Sequence, residues 1–308
     1  MNYYIIFILY LTMFSRSLSL FNHKVIYNNR QNNHKITNKI MNGSLHICQN
    51  DECNQQYKKM KLISLSPGGL KGFYLMGITT FIKENYCLDD YVFSGASAGA
   101  WNALYMTYKG DPKEFMLRVL DERANSAKTV IEVKNTIKNN ILKNYKNEDF
   151  ELEKLFIGVK TFSGTVIYSN FESVEDALDC CIASSHIPLV TGGLLNLYHN
   201  KYTFDGGFSE HPYLQIPSLL HITPTIWDKD EIDDFGRRID KKEDKPKEKT
   251  CIQKLTDKKL CLDITQYTTL FSRDKYDFLK TYERGYNDTK KNRRKLDYIF
   301  MNDKYDEW

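Results

Sequence analysis

Two stretches early in this chain follow the same order: a strand-like apolar run, a glycine turn, then apolar residues at helical spacing. KLISLS (61–66) runs into PGGLKG (67–72), after which Leu70, Phe73, Tyr74, Gly77, Ile78, Phe81 and Ile82 recur with the period of a helix face. DYVFSGASAGAWNALYMTY (90–108) repeats the order, with Tyr91 to Phe93 as strand and a helix ending near Gly110. Strands that pass through a glycine turn straight into a helix are the units of a layered α/β protein. The expected fold class is therefore α/β, a central and largely parallel sheet flanked by helices.

The rest of the chain extends this pattern without internal repeats. Asp111-Pro112 opens another helix carrying Phe115, Met116, Val119 and Leu120. Residues 124–150 are rich in lysine and asparagine and read as a solvated helix and loop. TVIYSN (165–170) reads as a strand. Ser173 caps the helix VEDALDCCIASS, with Glu175 and Asp176 in its first turn. KYTFDGG (201–207) reads as a strand ending in a turn, and LLHITPTIW (219–227) as another strand. Residues 228–250 are charged and nearly free of apolar side chains, as in an exposed insertion. Helical spacing returns over 263–290 at Tyr267, Leu270, Phe271, Phe278, Leu279 and Tyr282, and 291–308 form a charged tail. One domain over 61–290 is expected, preceded by a polar, asparagine-rich leader at 20–60.

Composition limits the partners. With 43 Lys and Arg against 39 Asp and Glu, the net charge is only +4 and the signs are interspersed. No basic stripe calls for nucleic acid. NYYIIFILYLTMF (2–14) is apolar and uncharged, shorter than the roughly 20 residues of a bilayer span, and is followed by Arg16 and SLS. It fits a signal peptide over 1–19 cleaved near Ser19, with an uncleaved anchor or a buried helix as the alternatives. Entry into the secretory pathway or membrane association is the corresponding expectation. There the sequons at Asn42 and Asn287 gain meaning, and Cys48 with Cys53, or Cys251 with Cys261, become candidate local disulfides. Cys180 and Cys181 lie in an apolar helical pattern and read as small core residues. No Cys/His spacing reads as zinc and no calcium loop is present, so neither metal nor cofactor is called for.

Three elements carry chemistry. Gly95-Ala-Ser97-Ala-Gly99 is a G-x-S-x-G pattern between strand and helix, where small neighbours allow a sharp turn and present one hydroxyl at a helix N-terminus. SPGGLKG lies at a second strand-to-helix turn, where N–H groups can converge on one anion; the G-x-x-x-x-G-K-[ST] of a phosphate loop is absent. Asp205 opens D-G-G at a strand end, with Gly206 and Gly207 behind it. Each motif alone is also an ordinary turn.

Taken in order, these motifs resemble a patatin-like phospholipase domain of the adiponutrin-type branch. The resemblance runs from about Lys61 to about Lys290. It includes GASAG (95–99), DGG (205–207), ASSHIPLVTGG (183–193), HITP (221–224) and YERGYNDTKK (282–291). It implies a Ser97–Asp205 dyad: Ser97 as nucleophile, Asp205 accepting its proton without a histidine between them, and an acyl-enzyme intermediate. It further implies an oxyanion hole from Gly68, Gly69 and the amide of Ala98, with Lys71 supporting the loop or the developing charge. Gly72, Gly95, Gly99, Gly206 and Gly207 shape these turns. Pro67 stands where the family's loop commonly has the first of three glycines, and it removes one N–H. The implied activity is hydrolysis of lipid carboxylic esters at a membrane or lipid-droplet surface. An acyltransferase with the same dyad and a non-catalytic lipid-binding protein are the alternatives. A Ser97–Asp205–His211 triad is also compatible with chain order, and His221 follows Asp205 too.

Overall fold

KLISL (61–65) and YVFSGA (91–96) become adjacent parallel strands, buried on both faces apart from the partly exposed Lys61. A computed structural model of the chain describes residues 60–227, 251–253, 259–261 and 277–302. Residues 1–19, read above as a signal peptide or anchor, lie outside the described residues, as do nearly all of the leader, Asn42, Cys48, Cys53, residues 228–250 and residues 262–276.

The strands are β1 (Lys61–Leu65), β2 (Tyr91–Ala96), β3 (Leu155–Thr161), β4 (Gly164–Tyr168), β5 (Asn196–Tyr198), β6 (Lys201–Phe204) and β7 (Ser218–Ile222). Together they form one sheet, with β7, β1, β2 and β3 running parallel as neighbours. β4 and β6 pair with β3 in the antiparallel sense, and β5 pairs with β6 likewise. The sheet is thus mixed, a parallel centre with an antiparallel flank. β3 was not anticipated. Its sequence, LFIGVKT, carries a glycine and a lysine, yet only Lys160 reaches the surface in part.

The helices are α1 (Gly72–Asn85), α2 (Ala98–Thr107), α3 (Pro112–Val119), α4 (Glu122–Ser126), α5 (Val130–Asn144), α6 (Val174–Ser184), α7 (Phe278–Lys291) and α8 (Arg293–Asn302). Their N-termini follow the sequence signals. Asp111 accepts from the N–H groups of Lys113 and Glu114 with Pro112 at the first helical position, and Ser173 accepts from that of Asp176. Side chains at alternate strand positions diverge to two cores. Ile63, Leu65, Phe93, Leu155 and Ile157 join the helices in the larger one. Leu62, Val92 and Phe156 meet Leu214 on the opposite face. Cys180 and Cys181 are fully buried in the larger core.

The helix containing YERGYNDTKK is α7, which packs on α1 at very short range. A Cβ added to Gly77 would stand 2.1 Å from the carbonyl oxygen of Tyr282, and one added to Gly285 would stand 2.1 Å from that of Tyr74. The sequon at Asn287 falls inside this helix, and Thr289 is buried with its hydroxyl on the Gly285 carbonyl. Within the stretch read as a charged tail, Arg293–Asn302 form α8, which buries Leu296 and Phe300; residues 303–308 lie outside the described residues.

Two further expectations are corrected. The strand read over 219–227 ends at Ile222, because Thr223–Trp227 turn away after Pro224. The stretch read as a solvated helix contains α5, whose Val133, Lys134, Asn140 and Ile141 are buried. A separate ribbon pairs β8 (Cys251–Gln253) with β9 (Lys259–Cys261), placing Cys251 opposite Cys261 in register. Among the described residues, no helix is long and apolar enough to cross a membrane.

Candidate active site

β2 ends at Ala96, and the next residue, Ser97, adopts φ 54° and ψ −124° before α2 begins. A non-glycine residue rarely adopts this conformation, and it persists only where the surroundings hold it. Here they do. The Ser97 N–H donates to the Ser184 hydroxyl at 2.8 Å, and that hydroxyl donates to the Gly158 carbonyl of β3 at 2.6 Å. The small neighbours are enforced by contact. A Cβ on Gly95 would meet the Gly99 carbonyl oxygen at 2.1 Å, and one on Gly99 would meet the Leu65 carbonyl oxygen at 2.1 Å.

The sheet's register explains why Asp205 reaches Ser97. β3 pairs with β2 only as far as Gly158, opposite Ala96. At Lys160 it pairs with β4 on one edge and with β6 on the other, through Phe204. β6 therefore occupies the edge that β2 leaves at the turn, running in the opposite direction. The residue after it, Asp205, arrives beside the residue after β2, Ser97. The Ser97 Oγ donates to Asp205 Oδ2 at 2.7 Å, while the Gly207 N–H donates to Oδ1 at 2.7 Å. The Asp205 N–H is itself fixed on the His186 carbonyl at 2.7 Å. Both side chains are buried.

Burial pushes the Asp205 carboxyl up to about 6, held back by the hydrogen bonds from Ser97 and the Gly207 N–H and by the Lys134 charge. A carboxylate with an affinity in this range is a much better proton acceptor near neutrality than an exposed one.

The glycine loop joins the same site. Gly69 (φ 53°), Leu70 and Lys71 form a single 3₁₀ turn in which the Lys71 N–H donates to the Gly68 carbonyl at 3.0 Å. A Cβ on Gly72 would approach the Ala98 Cβ to 3.0 Å, and Asn102 Nδ2 bridges the carbonyls of Gly72 (3.1 Å) and Ala98 (2.9 Å). Among the described residues, nothing accepts from the N–H of Gly69 or of Ala98, and both residues line the pocket beside Ser97. The Gly68 N–H likewise has no acceptor among the described residues, although Gly68 does not line the pocket and its Cα side faces Pro224; the Lys71 side chain is exposed. Pro67 lies against Gly207, where a Cβ would come within 3.1 Å of the proline Cβ. The residue that breaks the three-glycine pattern thus braces the loop carrying Asp205. Gly206 fits between Ala96 and the Gly158 carbonyl.

The histidines stand apart from the dyad. His211 is exposed. His221 shares a hydrogen bond with Ser64 Oγ through Nδ1 at 2.7 Å. The His186 ring is buried with Nε2 unpartnered, and burial, followed by the Lys134 charge, lowers its affinity to about 4. Its contribution to the dyad is its main-chain carbonyl. Among the described residues, no group of three His, Cys, Asp or Glu side chains is placed to hold a metal.

Ser97 opens onto an apolar groove that is partly open to solvent. Its walls include Phe73 and Met76 of α1, Leu104 of α2, and Val133, Ile137 and Ile141 of α5. Sequence reasoning missed Ser184, Lys134 and the whole α5 wall. Val130, Val133, Ile137 and Ile141 recur at helical spacing among the lysines and asparagines, and that stripe was the available signal.

The fold and site define an α/β protein that presents a conformationally strained serine, hydrogen-bonded to a buried aspartate, at the mouth of an apolar groove. Residues 63–215 match the family model of the patatin-like phospholipases, a span that contains the glycine loop, the elbow and Asp205. The match supports the patatin-like family, and lipid acyl hydrolase activity in general. No curated protein matches the chain.

Proposed function

We propose that the protein hydrolyses lipid carboxylic esters through Ser97 and Asp205. The observation that carries this reading is the 2.7 Å bond from the Ser97 hydroxyl to the buried Asp205 carboxylate at the head of an apolar groove. The Ser97 Oγ attacks the ester carbonyl, and its proton passes to Asp205 Oδ2. The oxyanion faces the N–H groups of Gly69 and Ala98 at the start of α2, where fixed donors stabilise developing charge. Collapse of the tetrahedral species expels the alcohol with the proton from Asp205. Water then attacks the acyl carbonyl and gives its proton to Asp205; collapse of the second tetrahedral species breaks the Oγ–carbon bond, returns that proton to Ser97 Oγ and releases the fatty acid. Lys71 supports the loop through its main chain.

The groove suits an acyl chain, since its walls are aliphatic and aromatic. The segment that closes one side of it suits a lipid surface. Ile187, Val190 and Thr191 face the groove, while Leu189, Leu194, Leu195 and Leu197 are exposed. Contiguous apolar exposure of this kind marks an interaction surface. Together with the apolar stretch at 2–14, it supports action at a membrane or lipid droplet. The support for the adiponutrin-type branch is the sequence resemblance of YERGYNDTKK, which here forms the helix packed on α1 through Gly285.

The test is purified protein on phospholipid and acylglycerol panels, with and without a lysolipid acceptor. Ser97-dependent release of free fatty acid is expected, with Ser97→Ala and Asp205→Asn each losing about a thousandfold or more. Acyl chains appearing on the acceptor instead would make the protein a transacylase. Identical behaviour of wild type and Ser97→Ala would falsify the enzyme reading.

A further inference from the structure

Lys134 is only 7% exposed, and it lies in the stripe of α5 that lines the groove. Its ammonium makes one long hydrogen bond, to the Ser185 carbonyl at 3.5 Å. That carbonyl already accepts the Thr191 hydroxyl at 2.8 Å. The adjoining His186 carbonyl holds the Asp205 N–H. No carboxylate lies within ion-pair distance of Lys134 among the described residues. Among the groove's lining residues the only charged side chains are Lys134 and Asp205.

A buried ammonium with so few partners is costly unless a countercharge offsets it. Asp205 is the countercharge within reach of its field, and each acts on the other's proton affinity. The site therefore holds one positive and one negative charge at rest.

Building on the dyad reading, we propose that Lys134 is a positioning residue that serves as a fixed counter-cation to whichever group carries the negative charge during the reaction. In the resting site that group is the Asp205 carboxylate. When the Ser97 O–H bond breaks, its proton goes to Asp205 and the Oγ–carbon bond forms. The carbonyl electron pair moves to oxygen, and the negative charge moves from Asp205 to the oxyanion. The groove stays neutral throughout, and no charge is stranded in an apolar site. Lys134 also keeps Asp205 ionised, and so able to act as base, where burial alone would favour the protonated acid.

The groups facing this pair are Ser97 and the Gly207 N–H at Asp205, and Ser185 and the His186 ring at Lys134. The His186 ring stays neutral at ordinary pH. Two titrations remain. Asp205, with its affinity near 6, must be deprotonated, so kcat/KM rises as pH increases through about 6. Burial, opposed by the Asp205 charge, lowers Lys134 to about 8, so the counter-cation is lost and kcat/KM falls as pH increases through about 8.

The experiment is the pH profile of kcat/KM on a soluble p-nitrophenyl ester for wild type, Lys134→Arg and Lys134→Met, each checked by thermal melting. Arginine does not titrate in this range. Lys134→Arg should therefore lose the alkaline limb and keep the acid one. Lys134→Met should also lose the alkaline limb, and its acid limb should move upward by about one pH unit or more. Profiles that fall in height while both limbs stay in place would overturn the proposal and leave Lys134 a structural residue. The Asp205 carboxyl is also titrated spectroscopically, against Asp205→Asn as blank, in wild type and Lys134→Met. That comparison needs no turnover, so a chain without Ser97-dependent activity would sink the hydrolase reading while the titration still decides this one. Equal Asp205 titrations in the two proteins would overturn it.

Discussion

The Ser184 hydroxyl links the Ser97 amide to the Gly158 carbonyl, at 2.8 and 2.6 Å, and so ties the elbow to the strand beside it. Ser184→Ala leaves a buried donor and a buried acceptor without partners, at about 1–3 kcal/mol. The expected result is a melting temperature lower by several degrees and a kcat at least tenfold lower. A thermal melt and a single-substrate assay check it. A variant with wild-type kcat would show that the elbow holds its shape without this link.

The strain at Ser97 can be measured apart from its hydroxyl. Ser97→Ala and Ser97→Gly both remove the bond to Asp205, but only glycine adopts φ 54° without steric cost. Ser97→Gly should be more stable than Ser97→Ala by about 1 kcal/mol. Equal denaturant midpoints would mean that the turn carries no strain.

His211 is exposed and makes no contact with the dyad. His211→Ala should retain activity within about twofold, the range of ordinary surface substitutions. A loss comparable to that of Asp205→Asn would revive the triad.

Val133 lies on the α5 wall of the groove. Val133→Phe fills part of the space assigned to the acyl chain. Its kcat/KM for long-chain esters should fall by about tenfold or more relative to short-chain esters. A series of p-nitrophenyl esters of increasing length reads the ratio, and an unchanged ratio would remove the acyl chain from this groove.

Leu194 and Leu195 are both 46% exposed, on the segment that bounds the groove. A leucine buried in lipid contributes about 1.5–3 kcal/mol. The double Leu→Ser variant should lose at least tenfold in vesicle affinity, and in turnover of vesicle substrate, while soluble ester turnover falls far less. Vesicle flotation at matched protein concentration reads this directly.

The elbow and the aspartate were legible because their chemistry demands unusual residues in sequence: two glycines about a serine, and an acid before two glycines. The layered α/β class was legible because β1 and β2 each run into a helix through such a turn. The antiparallel flank was not. Nothing local in KYTF says that its strand fills the edge of β3 that β2 abandons, a fact of register between segments far apart. Lys134 was missed for a related reason. VIEVKNTIKNN has the composition of a solvated helix, and only its spacing shows that the lysine falls within the apolar stripe. Ser184 is one serine among several, and only the geometry singles it out.

The pair joins residues 108 positions apart, and its acid follows directly on β6, a strand of the sheet's antiparallel flank. During synthesis the serine, its glycine turn and the first helices emerge well before Asp205. A nascent chain of that length presents the nucleophile but no base. On the proposed mechanism, competence to cleave an ester is therefore coupled to the docking of β6: until that strand pairs with β3, the growing polypeptide lacks its base.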